Sequence, residues 1–138
     1  MSRQIKFRAW DVFKEQMDYE VFLDPNGKVA AFSPLWGFYV RGNSDDEMKL
    51  MQFTGLHDRN GQEIYEGDIF PSGARTRGEV TIICYDSRQA KFKAVPFGLY
   101  KCNAGNGGWT GFDVNPLSEV IGNIYEHPHL LKGEGAHV

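Results

Sequence analysis

The sequence predicts a small, mainly β domain with little helix, and three observations carry that expectation. Aromatic residues make up 14% of the 138 residues, and flat side chains pack well on a pleated surface. Short apolar stretches alternate with period two. Between them stand clusters of Gly, Pro, Asn and Asp, the residues that tight turns require.

The first stretch, "IKFRAWD" (5–11), places Ile5, Phe7 and Ala9 on one face and Lys6, Arg8 and Trp10 on the other. A polar turn at Lys14–Gln16 leads to "MDYEVFLD" (17–24), with Met17, Tyr19, Val21 and Leu23 on one side, so the two read as an N-terminal hairpin. "DPNG" (24–27) is a turn, because proline fixes φ and Asn-Gly tolerates positive φ. "KVAAFSPLWGFYVRG" (28–42) holds one or two short strands; Pro34 would cost about 3 kcal/mol inside a helix. "NSDDEMKL" (43–50) supports two readings, a short helix with Ser44 as N-cap and Glu47 three residues on, or a loop feeding the next strand.

"EIYEGDIF" (63–70), "GEVTIICYD" (78–86) and "AKFKAVPF" (90–97) read as three further strands. Val80, Ile82 and Cys84 alternate with Thr81, Ile83 and Tyr85, which points to burial on both faces, as in a barrel or sandwich. Ser87–Gln89 makes a tight connection. "NAGNGGWTGFDVNP" (103–116) reads as a mobile loop centred on Trp109, and "SEVIGNIYE" (118–126) as a closing strand. Gly67-Asp68 entering an apolar strand and then a hairpin has the rhythm of a small SH3-like barrel in the C-terminal part.

Composition narrows the function classes. The net charge is −3, so the surface as a whole does not attract nucleic acid. Residues 71–101 nevertheless carry Arg75, Arg77, Arg88, Lys91, Lys93 and Lys101 against Glu79 and Asp86, a local excess of +4. Two cysteines, Cys84 and Cys102, are too few for a disulfide scaffold, and "MSRQIKF" is not a secretory leader. No stretch approaches the ~20 apolar residues of a membrane span. The expected setting is cytoplasmic, with reduced thiols and no membrane.

The stretch "QFTGLHDRNGQEIYEGDIF" (52–70) gathers His57, Asp58, Glu63, Glu66 and Asp68. An acid–base pair needs two carboxylates held across a pocket in environments that split their pKa values. Here Asp58 and Glu63 bracket Asn60-Gly61 and are expected to point to solvent. "DRNG" suits a type I turn with glycine at positive φ and Asp58 accepting a backbone N–H. Gly67 then serves a tight backbone and Asp68 caps the next strand. No catalytic residue is assigned, and the expected protein is not an enzyme. His127 and His129 lack the further ligands of a metal site, and "GNGGWTG" (105–111) lacks the Lys-Ser/Thr of a phosphate loop; no metal or cofactor is expected.

Three motifs in order, "IKFRAWD", "MQFTGLHDRNGQEIYEGDI" and "VIGNIYEHPHLL", resemble the YopX family of phage and prophage proteins over residues 5–131. Gly55, Asp58, Asn60, Gly61, Tyr65, Gly67 and Asp68 belong to the central motif. The resemblance implies a phage or prophage origin, a mainly β fold with the SH3-like barrel, and a cytoplasmic host setting; it carries no activity with it. It organises the chain as one domain over 1–138, with a β extension over 1–50, the barrel part over 51–131 and a tail over 132–138. Phe53, His57, Phe70 and "EHPHLL" depart from the family pattern, and residues 71–79 and 98–117 lie outside it. The expected function is therefore a binding module for a protein partner or a second copy of itself, with Trp109 either an anchor for the partner or, more commonly for such a residue, folded back to close the barrel, and Arg75, Arg77, Arg88, Lys91 and Lys93 as the candidate surface. The alternative is a nucleic-acid-binding barrel in which that segment works with Tyr85 and Phe92; an enzyme stands last.

Overall fold

A computed structural model describes residues 4–40, 47–103 and 106–132. The chain is mainly β with few helices, and it divides into two compact units, Met1–Phe53 and Thr54–Val138.

In the first unit, β1 (Phe7–Asp11) pairs antiparallel with β2 (Gln16–Asp18) to give the expected hairpin. Its other edge pairs with β6 (Met48–His57), Phe7 opposite Gln52 and Asp11 opposite Met48. The β1–β2 turn is shaped by Asp11, whose Oδ1 accepts the backbone N–H of Phe13 and of Lys14 at 3.0 Å each. The strand expected over 17–24 is interrupted: Asp18 accepts the Glu20 N–H at 2.9 Å, and the chain bends before β3 (Phe22–Leu23). A side chain bonding its own backbone two residues on competes with the ladder.

The second sheet of this unit is the meander β3, β4 (Val29–Ser33) and β5 (Gly37–Val40), so the apolar run 28–42 does hold two strands. Asp24 Oδ1 accepts the N–H of Asn26 and Lys28, both at 2.9 Å, and closes the β3–β4 turn. Val29 packs with Ala9 and Met48 in a small core, with Val21 and Leu23 against it. The two readings of 43–50 concern residues of which half, 43–46, lie outside the described ones, with β6 beginning at Met48.

In the second unit, the five-stranded antiparallel sheet runs β11 (Phe112–Asp113), β10 (Lys91–Pro96), β9 (Thr81–Asp86), β8 (Asp68–Phe70) and β12 (Gly122–Asn123). The last residues of β6 and β7 (Glu63–Tyr65) complete its strands. Both sheet faces are buried, as the alternation over 80–85 predicts, except at Tyr85, which is exposed. Ile69, Val80, Ile82, Cys84 and Val95 form one cluster, and Ile64, Phe70, Ile83 and Ala94 the other. Full burial of such a side chain is worth about 1.5–3 kcal/mol.

Four elements of this unit differ from the sequence expectation. The segment 63–70 is two strands, β7 and β8, because Gly67 turns the backbone at φ 85°. The closing strand shrinks to β12, since Asn123 Oδ1 accepts the N–H of Tyr125 (3.1 Å) and Glu126 (2.8 Å) and turns the chain away. Helix α1 (Phe97–Cys102) follows β10 directly. Its first turn is met by the Glu79 carboxylate, which accepts the Gly98 N–H at 2.7 Å from 19 residues upstream. A short helix α2 (His129–Lys132) follows β12; the tail beyond it lies outside the described residues.

Candidate functional site

The polar motif 52–70 builds backbone, and Asp58 is its centre. Contrary to the expectation that it points to solvent, Asp58 is buried. Its Oδ1 accepts the N–H of Asn60 and Gln62 at 2.9 Å each, and its Oδ2 accepts the Val120 N–H at 2.9 Å. Burial alone would raise its pKa, but these backbone donors and the Arg59 charge outweigh it and hold the carboxyl below the usual range. Gly61 sits at φ 83° and donates its N–H to the Asp58 carbonyl at 2.9 Å, closing the turn. Asp68 is buried as well and accepts the Tyr65 N–H at 2.7 Å. Gly67 donates to the Ile83 carbonyl and accepts from the Ile124 N–H, so its peptide links three segments. Gly55 lies in β6 at φ 88°, and the Tyr65 hydroxyl reaches the Glu63 carboxylate at 3.3 Å. The Asp58 and Asp68 carboxylates thus serve backbone donors, and the solvent-facing picture of Asp58 fails because a turn this tight leaves N–H groups that only a nearby acceptor satisfies.

The basic segment divides into three parts. Lys93 is buried, with its ammonium 2.7 Å from Asp86 Oδ2 and 2.7 Å from the Trp109 carbonyl. Asp86 also accepts the N–H of Trp109 (2.9 Å), Arg88 (2.8 Å) and Gln89 (2.9 Å). The Lys93 partner, with the backbone donors, holds this carboxyl well below the ordinary range against the opposing effect of burial. Lys91 is exposed and paired with Asp113 at 2.8 Å. Arg75, Arg77 and Arg88 are exposed. Arg75 lies over the Phe112 ring at 5.0 Å, beside a pocket of about 130 Å³ lined also by Phe70, Thr76 and Asp113.

Register separates the lysines from the aromatics. Tyr85 stands opposite Phe92 across the β9–β10 ladder, their rings edge-on at 5.1 Å. Lys91 and Lys93 fall on the other face, opposite Asp86 and Cys84. Trp109 is half-buried: its ring stacks on Tyr100 at 5.5 Å and 10°, against the core cluster of Ile82 and Val95. His127 Nδ1 accepts the Asn123 N–H at 3.1 Å. Among the described residues no group of three His, Cys, Asp or Glu side chains converges on a metal-sized site, and no helix is long and apolar enough to cross a membrane.

The first unit carries a surface that the sequence expectation did not single out. Phe22 and Val40 flank Ala30, and Phe32 stands opposite Phe38, so all five side chains share one face of the β3–β4–β5 sheet. Phe22, Phe32, Phe38 and Val40 are exposed. The Phe38 ring meets Phe32 at 5.2 Å and Phe22 at 5.7 Å, both edge-on. At the β4–β5 turn, Ser33 Oγ accepts the N–H of Leu35 and Trp36, and those side chains are 85% and 81% exposed. The signal was present in "VAAFSPLWGFYV": neither alternating set is polar, yet only one set can face a core.

A family model described as YopX protein matches residues 6–132. The crystal structure of protein EF1440 from Enterococcus faecalis is similar at a TM-score of 0.53 and 25% identity, covering 94% of this chain and 99% of that one. The crystal structure of protein yopX from Bacillus subtilis is similar at 0.50 and 19% identity, covering 94% and 97%, a likeness that concerns the fold. No curated protein matches the chain.

Proposed function

The chain belongs to the YopX family, and from that premise we propose that it is a non-catalytic, phage-derived protein-binding module working in the cytoplasm of a bacterial host. The observation that carries the reading is the exposed aromatic face of Phe22, Phe32 and Phe38. Soluble chains seldom leave so many large apolar side chains contiguous and open unless something covers them. The five-stranded sheet of the second unit, buried on both faces, supports reading it as an SH3-like barrel that serves as a stable scaffold.

Affinity capture from bacterial lysate, with and without nuclease, tests the proposal. The wild-type chain is expected to retain a protein, either another chain or a second copy of itself, in both conditions, and a Phe32→Ser/Phe38→Lys variant to lose it. Retention that vanishes with nuclease would transfer support to the nucleic-acid reading. That second reading rests on exposed Arg75, Arg77 and Arg88. It has less support because Lys91 is paired, Lys93 is buried, and Tyr85 and Phe92 lie across the sheet from both lysines.

A further inference from the structure

We infer that the partner of the Phe22–Phe32–Phe38 face is the same face of a second copy of this chain, packed sheet on sheet about a twofold axis. The inference rests on the protein-binding reading above and names its occupant.

Charge favours a second copy over an acidic, basic or nucleic-acid partner. Residues 29–40 contain no Asp, Glu, Lys or Arg, and Phe22–Leu23 of β3 adds none. A twofold axis sets the face against its own copy, so a face of one net sign would repel itself, whereas an uncharged one does not. A face built for an acidic or basic partner would show complementary charge, and one built for nucleic acid would interleave cations with its rings. These strands have neither.

Area points the same way. Aromatic side chains present about 150–250 Å² each. At the exposures of Phe22, Phe32, Phe38 and Val40 the face offers on the order of 400 Å², and Leu35 and Trp36 of the β4–β5 turn bring the exposed apolar area of this hairpin to on the order of 700 Å². A standard interface takes about 800 Å² from each side. Shape also fits. Sheets stack at about 10 Å, and aromatic pairs favour edge-to-face contact, the arrangement that Phe38 already makes with Phe22 and Phe32.

Sedimentation equilibrium on the full chain tests this, with circular dichroism and thermal melting as fold controls. The wild type is expected to show twice the chain mass and to dissociate on dilution. Phe32→Ser/Phe38→Lys is expected to weaken association at least tenfold. Leu35→Ser/Trp36→Ser, which alters only the exposed turn, supplies the same readout if the sheet variant fails to fold. Tyr39→Ser, on the opposite face of β5, is expected to leave the dimer intact. A wild type that stays monomeric at about 0.1 mM, a hundredfold above a ~1 μM Kd, overturns the inference. So does a dimer that survives both face and turn variants. The broader reading fails separately: a monomer that still captures a different protein through Phe32 and Phe38 keeps it, and a monomer that captures nothing ends both.

Discussion

The Lys93 ammonium lies 2.7 Å from the Asp86 carboxylate inside the protein, and both groups also hold the Trp109 peptide, its carbonyl on Lys93 and its N–H on Asp86. Two charges 7 residues apart on the β9–β10 hairpin thereby fix a loop 16 and 23 residues further on. A buried pair of this kind defines geometry more than it adds net stability, because desolvation offsets much of the attraction.

The pair should respond unequally to truncation. Asp86→Ala strands the Lys93 charge and three backbone N–H groups, whereas Lys93→Met leaves Asp86 with three backbone donors. Asp86→Ala is expected to lower the melting temperature by more than about 8 °C and Lys93→Met by roughly half as much. Equal losses in thermal melts would contradict this assignment.

Acid should unfold the protein through these carboxyls. Asp86 and Asp58 both have folded pKa values below 3.8, so their contribution is complete above the unfolded value. It is lost as pH falls from near 3.8 through the folded values. Urea midpoints measured down to pH 2 are expected to hold level above about pH 5 and then drop. Asp58→Asn should make the drop shallower while lowering stability at neutral pH.

Two glycines should fail for different reasons. Gly61→Ala places an ordinary residue at φ 83° with nothing within 4 Å of its Cβ, so only conformational strain of about 1 kcal/mol is expected. Gly111→Ala would set its Cβ 2.6 Å from the Ala94 carbonyl oxygen, forcing β11 away from β10. Chemical denaturation should rank Gly111→Ala as the more damaging by at least ~1 kcal/mol.

Thiol labelling should show one fast and one protected site. Cys102 is exposed and Cys84 buried; burial, with the nearby Glu66 charge, pushes the Cys84 thiol up to about 12. Only the thiolate reacts, so native protein at pH 8 is expected to modify at Cys102 alone and to yield Cys84 after unfolding. Rapid modification of both in the native state would show that the β9 core opens.

Nucleic acid should bind weakly at most. Replacing Arg75, Arg77 and Arg88 by Gln is expected to leave protein capture unchanged. Labelled single- and double-stranded DNA should show little retention at about 0.15 M salt. Tight binding with a steep salt slope would support the alternative reading.

Local chemistry was legible in the sequence wherever one residue serves its neighbours. The β1–β2 hairpin, the Asp58–Gly61 turn and two-sided burial over Val80–Cys84 follow from alternation and turn residues within a few positions. What escaped depends on distant partners. Helix α1 takes its cap from Glu79, Lys93 stands opposite Cys84 and reaches Asp86 diagonally across the ladder, and buried Asp58 accepts the Val120 N–H from 62 residues away. The aromatic face was hidden in a run that is apolar on both sides, where pattern alone cannot tell core from surface.

The contacts that Asp58 makes across the chain have one further consequence. Residues 58–70 hold residues 118–124 through Asp58–Val120, Arg59–Ser118, β8–β12 pairing and the Gly67 peptide. Between them, residues 71–75 and 77–78 are exposed. A protease nick there would cut the polymer without separating the pieces. The fragments on either side of the cut would stay associated, and each, expressed alone, would serve as the template on which the other folds.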